Sequence, residues 1–243
     1  MYKPTRTLEG PETYGFNDVI SITLKTGSLK ESISWFIPPK LNNPIIVYFH
    51  GNSGNISNCV YKVEKYIKSG FGVFLVGYSG FGANSGVPTE KNLNENGLAA
   101  INHLINIGHN TRKIILYGES LGTAIAIDVA YNLAKSSPAL AVILEAPFSS
   151  MIEVAKIHYW YLPVNFIILD RYESVSKVSS IKSPLLVLHG DCDKIVPIRL
   201  AVELFSKAKE PKYSIWIKGA EHGNLYDFNV SGKVLEFIKN IKS

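Results

Sequence analysis

The pattern of hydrophobic and polar residues changes character near Ile45. Before that point, Val19 to Lys25 and Ser32 to Ile37 alternate apolar and polar residues, which predicts a hairpin or meander of half-exposed strands. After it come short apolar runs rich in β-branched residues, which are typical of strands buried on both faces of a parallel sheet. These six runs are Ile45 to Phe49, Gly72 to Val76, Ile114 to Tyr117, Ala141 to Leu144, Leu185 to Leu188 and Ser214 to Ile217.

Segments of helical length separate the buried runs. Strands that alternate with helices predict a doubly wound α/β fold, here a mostly parallel eight-stranded sheet with helices on both faces. No internal repeat or linker divides the chain, so we expect one domain spanning residues 1–243. The helical segments lie at about 56–69, 89–107, 120–135, 195–208 and 224–240.

One connection is too long to be a simple crossover. It runs from Leu144 to Leu185 and carries apolar aromatic residues, among them Tyr159, Trp160 and Phe166. Aromatic side chains in a connection favour a short cap, at about residues 149–183, with these three residues lining an apolar substrate pocket. The alternative is one more helix that packs on the core.

Composition restricts the possible partners and compartments. With 46% hydrophobic and 19% charged residues the chain has the composition of a folded globule. The net charge of +5 is modest and the lysines are scattered, which argues against a nucleic-acid partner but leaves peripheral contact with an anionic membrane open. Two cysteines far apart, and an N-terminus without the apolar core of a signal peptide, favour a cytoplasmic protein.

The sequence GESLG at Gly118 to Gly122 joins the run that ends at Tyr117 to an alanine-rich segment of helical length. A serine nucleophile must project from a tight strand-to-helix turn, and glycines two residues away on each side let strand and helix pass close to it. Ser120 is therefore the candidate nucleophile. Such a pentapeptide is common, but its position between a strand and a helix makes the signal specific.

A serine hydroxyl becomes a good nucleophile only when a base takes its proton and a third group orients that base. In enzymes with this motif an acid and then a histidine follow the serine along the chain. Asp193 follows the run that ends at Leu188, and His222 follows the run that ends at Ile217. Because the carboxyl ends of parallel strands share one edge of a sheet, we expect Ser120, Asp193 and His222 to meet there as a triad.

Other acids and histidines compete for these roles. Asp191 is a second candidate for the orienting acid, although we expect it to cap a turn or the following helix, and Glu145 is a third. His189 ends a buried strand, which favours a hydrogen-bonded structural role. No pair of histidines has the spacing of metal ligands, so we expect no metal or other cofactor. Solvated or packing roles are expected for three further histidines, His103, His109 and His158.

Negative charge that develops on a substrate oxygen needs preorganised N–H donors. The N–H of Leu121, directly after the nucleophile, is one candidate. The N–H of Asn52, in the loop after the first buried strand, is the other. The glycine-rich loop at Gly77 to Gly82 suggests phosphate binding instead, but its spacing does not match Gly-x-Gly-x-x-Gly at the start of a helix.

These residues resemble the α/β-hydrolase superfamily, and more narrowly the small branch of α/β-hydrolase-domain proteins that includes membrane-associated protein depalmitoylases. The resemblance covers nearly the whole chain from Ile33 and implies the same triad and the same two N–H donors. The anchor or cysteine-rich N-terminal segment of several such relatives is absent from this sequence, and the short cap implies an open pocket. The matching segments are His50 to Asn55, Tyr78 to Gly82, Ser85 to Glu90, Gly118 to Gly122, Glu145 to Phe148, His189 to Asp193, Val196 to Pro197 and Glu221 to His222.

The expected activity is hydrolysis of carboxylic esters or thioesters of acyl substrates through an acyl-serine intermediate. Amide or peptide hydrolysis by the same triad is the first alternative. A catalytically silent fold that serves as a binding module is the second. The sequence does not indicate an oligomeric state.

Overall fold

The centre of the protein is an eight-stranded sheet in a computed structural model that describes residues 1–15, 18–26 and 31–241. Its strand order is β10-β9-β8-β7-β4-β6-β3-β2; β3 runs antiparallel to both neighbours and the remaining pairs are parallel. The predicted fold class is therefore confirmed, and the two early strands pair as expected. The strands are β1 (Lys3–Pro4), β2 (Ile20–Lys25), β3 (Glu31–Ile37), β4 (Ile45–Phe49), β5 (Ser53–Gly54), β6 (Gly72–Leu75), β7 (Ile114–Glu119), β8 (Ala141–Glu145), β9 (Leu185–Gly190) and β10 (Lys212–Ile217).

Helices occupy the predicted connections, with two differences at their first turns. The segment predicted from 195 begins as a helix only at Ile198, because the Asp193 carboxylate binds the N–H groups of Ile195 and Val196 in a turn. The segment predicted from 224 is interrupted at Asn229, whose φ of 56° is left-handed. The helices are α1 (Val60–Lys68), α2 (Glu90–Asn106), α3 (Leu121–Leu133), α4 (Met151–His158), α5 (Val164–Ile167), α6 (Ser174–Val178), α7 (Ile198–Lys207) and α8 (Val230–Asn240).

The sheet separates two hydrophobic cores. Along β4, Val47 and Phe49 belong to one core, whereas Ile46 and Tyr48 belong to the other, and all four side chains are fully buried. Successive side chains of a strand point to opposite faces, so an uninterrupted apolar run fills both layers at once. This is the physical reason why the central strands lack the alternation of β2.

Helix α3, which follows the candidate nucleophile, is almost entirely enclosed. Eleven of its thirteen residues are buried, including both alanines of its first two turns, Ala124 and Ala126. A helix that is apolar on every side can be stable only inside a protein. Small side chains let α3 lie close against β7 and β8, and this packing fixes the position of its N-terminus.

Two additions to the sheet lie at its carboxyl edge. The short strand β1 pairs in parallel with β5, directly after the candidate oxyanion loop. Helices α4 to α6 lie between β8 and β9, in the segment where the cap is predicted. Ile152, Ala155 and Val164 make a small separate cluster beneath that cap. None of the helices in the described part of the chain combines the length and hydropathy that a bilayer crossing requires.

Candidate active site

Ser120 lies at a strained turn between β7 and α3. Its φ of 50° and ψ of −115° belong to a region that non-glycine residues rarely occupy. Hydrogen bonds hold the backbone on both sides: the Ser120 N–H donates to the carbonyl of Glu145 at 2.8 Å, and the Ser120 carbonyl accepts from the N–H and the hydroxyl of Thr123. The turn projects the serine side chain away from the sheet.

The two glycines of the motif are required by close backbone contacts. A Cβ on Gly118 would lie 2.5 Å from the carbonyl oxygen of Gly122, and a Cβ on Gly122 would lie 2.0 Å from the carbonyl oxygen of Phe49. Both distances are far inside van der Waals contact. Any side chain at either position would therefore push α3 away from the sheet and move Ser120 with it.

The three predicted triad residues meet at the carboxyl edge of the sheet. His222 Nε2 lies 3.0 Å from Ser120 Oγ, and His222 Nδ1 lies 2.7 Å from Asp193 Oδ2. The carboxylate can accept only from a protonated Nδ1, which leaves Nε2 free to accept the proton of the serine hydroxyl. These residues are 102 and 29 positions apart in the chain, so only the fold brings them together.

The Asp193 carboxylate is buried and fully bonded. Its Oδ1 accepts from the N–H groups of Ile195 at 2.9 Å and Val196 at 2.8 Å, which turns Oδ2 toward His222. Burial alone would raise the pKa of Asp193, but the nearby His189 ring and hydrogen bonds from His222 and the backbone outweigh it and hold that pKa well below its usual range. Asp193 is therefore a permanent anion beside the imidazole at neutral pH.

The competing acids have other partners. Asp191 Oδ1 accepts from the N–H of Gly219 at 2.7 Å, which ties the turn after β9 to the turn after β10. The Glu145 carboxylate accepts from the Tyr117 hydroxyl at 2.5 Å, below the sheet edge. Neither carboxylate contacts His222 in the structure.

The other histidines have structural contacts. His189 Nε2 donates to the carbonyl of Val196 at 2.7 Å and lies 3.4 Å from Asp193 Oδ2. His158 Nε2 donates to the carbonyl of Ile195 at 2.7 Å, so it links the cap to the turn that carries Asp193. The rings of His103 and His109 pack on Phe74 and Phe36.

One candidate oxyanion donor directly follows Ser120, and the loop that carries the other approaches it. Leu121 is the first residue of α3, so its N–H has no carbonyl partner within the helix. Gly51, which precedes Asn52, approaches Ser120 so closely that a Cβ there would lie 3.7 Å from the serine Cβ. The N-terminal strand holds this loop: the Lys3 N–H donates to the Asn52 carbonyl, and the Asn52 side chain donates to the Met1 carbonyl.

Sequence reasoning missed a buried ion pair directly beneath the nucleophile. Lys62 Nζ of α1 lies 2.5 Å from the Glu119 carboxylate, which also accepts from the Tyr48 hydroxyl at 2.6 Å. Burial opposes ionisation of Glu119, but the Lys62 ammonium keeps the pKa of that carboxyl below its usual range. A glutamate placed between a buried strand and the nucleophile was the available signal, although nothing local identifies its partner 57 residues away.

Glu145 lies opposite Glu119 in the β7–β8 register, and no ion pair joins it to a cation in the described part of the chain. Burial, and then the nearby Glu119 charge, raise the pKa of Glu145 to about 7. The folded protein therefore binds this proton more tightly than the unfolded chain does. Between the ordinary carboxyl pKa and about pH 7, this residue makes the free energy of unfolding fall as the pH rises.

We expect Glu145→Gln to remove that dependence. Glutamine keeps an acceptor for Tyr117 but carries no charge. The free energy of unfolding of the variant, relative to that of the wild type, should therefore grow from about zero at pH 4.5 to about 3 kcal/mol above pH 7. Burial lowers the pKa of His50 to about 4 and gives a pH dependence of the opposite sign, which cancels in the difference. Urea unfolding of both proteins from pH 4.5 to 8 measures this difference; a constant difference would show that Glu145 is ionised throughout.

The aromatic residues expected to line a pocket lie in the cap with their side chains largely exposed. Tyr159 is 51% exposed, Trp160 82% and Phe166 88%. In residues 1–15, 18–26 and 31–241, no group of three or more His, Cys, Asp or Glu side chains is arranged to hold a metal ion.

Comparison with known proteins places the chain in a family. Residues 42–167 match the family described as serine aminopeptidase, S33. The chain is 33% identical over 193 residues to an uncharacterized protein of Mycobacterium tuberculosis, covering 78% of this chain and 67% of that one. It is 32% identical over 206 residues to human alpha/beta hydrolase domain-containing protein 17B, covering 82% and 66% respectively. An esterase of Pyrococcus furiosus shares the fold, with a TM-score of 0.78 at 18% identity over 99% of this chain and 98% of that one. The chain therefore belongs to this family of α/β-hydrolases, as the resemblance in its sequence predicted.

Proposed function

We propose that the protein is a serine hydrolase that cleaves carboxylic esters or thioesters of acyl substrates. The observation that carries the proposal is the continuous hydrogen-bond chain from Ser120 Oγ through His222 to Asp193 at a strained strand-to-helix turn. This is the arrangement that activates a serine for acyl transfer. The similarity to an esterase of Pyrococcus furiosus agrees with it.

In this mechanism Ser120 Oγ attacks the substrate carbonyl carbon while His222 Nε2 takes the hydroxyl proton. The N–H groups of Leu121 and Asn52 stabilise the oxyanion of the tetrahedral intermediate. His222 then gives its proton to the departing alcohol or thiol, which leaves an acyl-Ser120 ester. Water attacks this ester with His222 as base, and the carboxylic acid leaves as Ser120 recovers its proton. Asp193 stabilises the imidazolium in both halves.

The same triad can hydrolyse an amide, and the name of the matched family favours an aminopeptidase as the second candidate. An aminopeptidase must bind the protonated amine of its substrate next to the scissile bond. The buried carboxylates nearest to the nucleophile already have partners: Glu119 binds Lys62, and Glu145 binds Tyr117. Because both carboxylates already have partners, neither is free to bind a substrate ammonium group, which favours a substrate with an uncharged acyl group. In the proposal, Tyr159, Trp160 and Phe166 contact that acyl group at the mouth of the site.

A panel of four substrates, three of which share one acyl group, tests the proposal. We expect an octanoyl oxygen ester and an octanoyl thioester to be hydrolysed, whereas the octanoyl anilide and an aminoacyl anilide should react at least about 100-fold more slowly. Ser120→Ala is the control for contaminating hydrolases. Preferential cleavage of the aminoacyl anilide would make the protein an aminopeptidase, and no turnover of any substrate by the folded protein would favour a silent binding module.

A further inference from the structure

The outer face of the cap carries a cluster of exposed apolar side chains without charge among them. From Tyr159 to Leu169 the sequence is YWYLPVNFIIL, which contains no acidic or basic residue. We call the exposed members of this stretch, together with Ile195, the cap patch. It consists of Tyr159, Trp160, Tyr161, Leu162, Phe166, Ile167, Leu169 and Ile195, which are between 43% and 89% exposed.

Nothing in the described part of the chain covers the cap patch. On the underside of the cap, Val164 is buried with Ile152 and Ala155 and packs against the partly buried Ile168. Residues on either side of Val164 therefore project outward. Scattered apolar residues are ordinary on a protein surface, but a contiguous stretch of this kind marks an interaction site.

The cap patch lies at the edge of the sheet where the catalytic groups lie. The cap connects β8 to β9 at the carboxyl edge, and His158 binds the carbonyl of Ile195. The N–H of Ile195 in turn binds the Asp193 carboxylate at 2.9 Å. Ile195, a member of the patch, is thus bonded directly to the carboxylate of the candidate triad acid.

Two basic residues lie close to members of the patch in the sequence. Lys194 and Arg171 are exposed on its borders. The acidic residue next to the patch, Asp170, is turned inward, where it accepts from the Tyr2 hydroxyl and the Glu90 N–H. Tyrosine, tryptophan and aliphatic side chains beside basic residues match the interface of an anionic bilayer. Two copies of this chain would instead bring like charges together across the patch.

We propose that the cap patch docks on an anionic lipid bilayer and turns the mouth of the site toward the membrane. Docking itself does not depend on the chemistry of Ser120. The further step, in which docking presents membrane-dissolved acyl substrates to the nucleophile, rests on the proposed function. The occupant is the lipid surface itself, with the aromatic and aliphatic side chains in the headgroup and upper acyl region and the basic residues at the phosphates.

Sedimentation with vesicles of phosphatidylcholine alone and of phosphatidylcholine with one quarter phosphatidylserine tests the proposal without any substrate. We expect wild-type protein to bind the anionic vesicles and to release from them in high salt. Trp160→Ser/Leu169→Ser should weaken that binding at least about tenfold, since two exposed apolar anchors are lost. Lys194→Gln should weaken it about fivefold on anionic vesicles only.

A matched control lies at the opposite edge of the sheet. Leu41 and Ile107 are 98% and 50% exposed, and they lie before β4 and after α2, at the amino edge. Leu41→Ser/Ile107→Ser removes comparable apolar surface and should bind like the wild type. Ser120→Ala should also bind like the wild type, which separates a failure of docking from a failure of the proposed chemistry.

Tryptophan fluorescence locates the contact. Trp35 is buried and Trp216 is 38% exposed, so a blue shift on vesicle binding that disappears in Trp160→Phe, while sedimentation is retained, places Trp160 in the bilayer. Three results would overturn the proposal: no binding by the wild type, equal binding by Trp160→Ser/Leu169→Ser, or a stable dimer that this variant converts to a monomer. Thermal unfolding of each variant shows whether it is folded.

Discussion

Ser120→Ala is expected to lower ester turnover by at least about 10⁴-fold while leaving the fold intact. The substitution removes the atom that forms the acyl intermediate. It keeps the backbone bonds of the turn, in which the Ser120 N–H binds Glu145 and the Ser120 carbonyl accepts from Thr123. Turnover of the best ester of the panel, with thermal unfolding beside it, measures both effects.

The size of this loss distinguishes a nucleophile from a residue that only binds substrate. Removal of a binding contact changes KM by tens of fold, whereas removal of the nucleophile changes kcat by orders of magnitude. His222→Ala should give a loss of similar size, and the double variant should be no worse than either single one because the two residues act as a unit. A Ser120→Ala protein with more than a tenth of wild-type turnover would rule out the acyl-serine mechanism.

Asp193→Asn is expected to lower kcat by about 10³- to 10⁴-fold and, because the folded protein favours the carboxylate form of Asp193, to lower the free energy of unfolding at neutral pH as well. The asparagine oxygen can still accept from the N–H groups of Ile195 and Val196, which directs its NH₂ group at His222 Nδ1. An NH₂ donor requires an unprotonated Nδ1 and so places the proton on Nε2. In that tautomer Nε2 cannot accept the proton of Ser120.

The neighbouring acid provides the matched control. Asp191 is two residues away and binds the N–H of Gly219, a contact that an asparagine oxygen can also make. Asp191→Asn should therefore retain at least about one third of wild-type kcat. If Asp191→Asn lost as much activity as Asp193→Asn, or if Asp193→Asn were fully active, the assignment of the orienting acid would be wrong.

Much of the fold could be predicted because its signals are local. The run Ile45 to Phe49 forms β4 with the predicted bounds, and the predicted helix at 89–107 is α2 at Glu90–Asn106. Apolar runs and helical segments alternate along the chain, and this alternation predicts a mostly parallel sheet flanked by helices. The helix predicted from 195 begins later because a side chain, Asp193, binds the backbone of its first residues.

The residues of the candidate triad could be predicted from the sequence, but the residues around them could not. Ser120, Asp193 and His222 each follow a recognisable strand, so the rule that strand ends share an edge brought them together. Their catalytic roles remain predictions. Contacts between distant residues without a motif gave no such signal: the pairing of Lys62 with Glu119 and the pairing of β1 with β5 depend on packing in three dimensions. The exposure of the cap aromatics likewise follows from which side of the cap faces the core.

The most direct test of the proposed mechanism is labelling by a fluorophosphonate, with the adduct mapped by mass spectrometry. One phosphonylated residue, Ser120, is expected in the wild-type protein. The adduct should be absent in Ser120→Ala and at least about 100-fold slower to form in His222→Ala, because the serine then lacks its base. An adduct on another residue, or no adduct on folded wild-type protein, would contradict the claim that this site contains an activated serine.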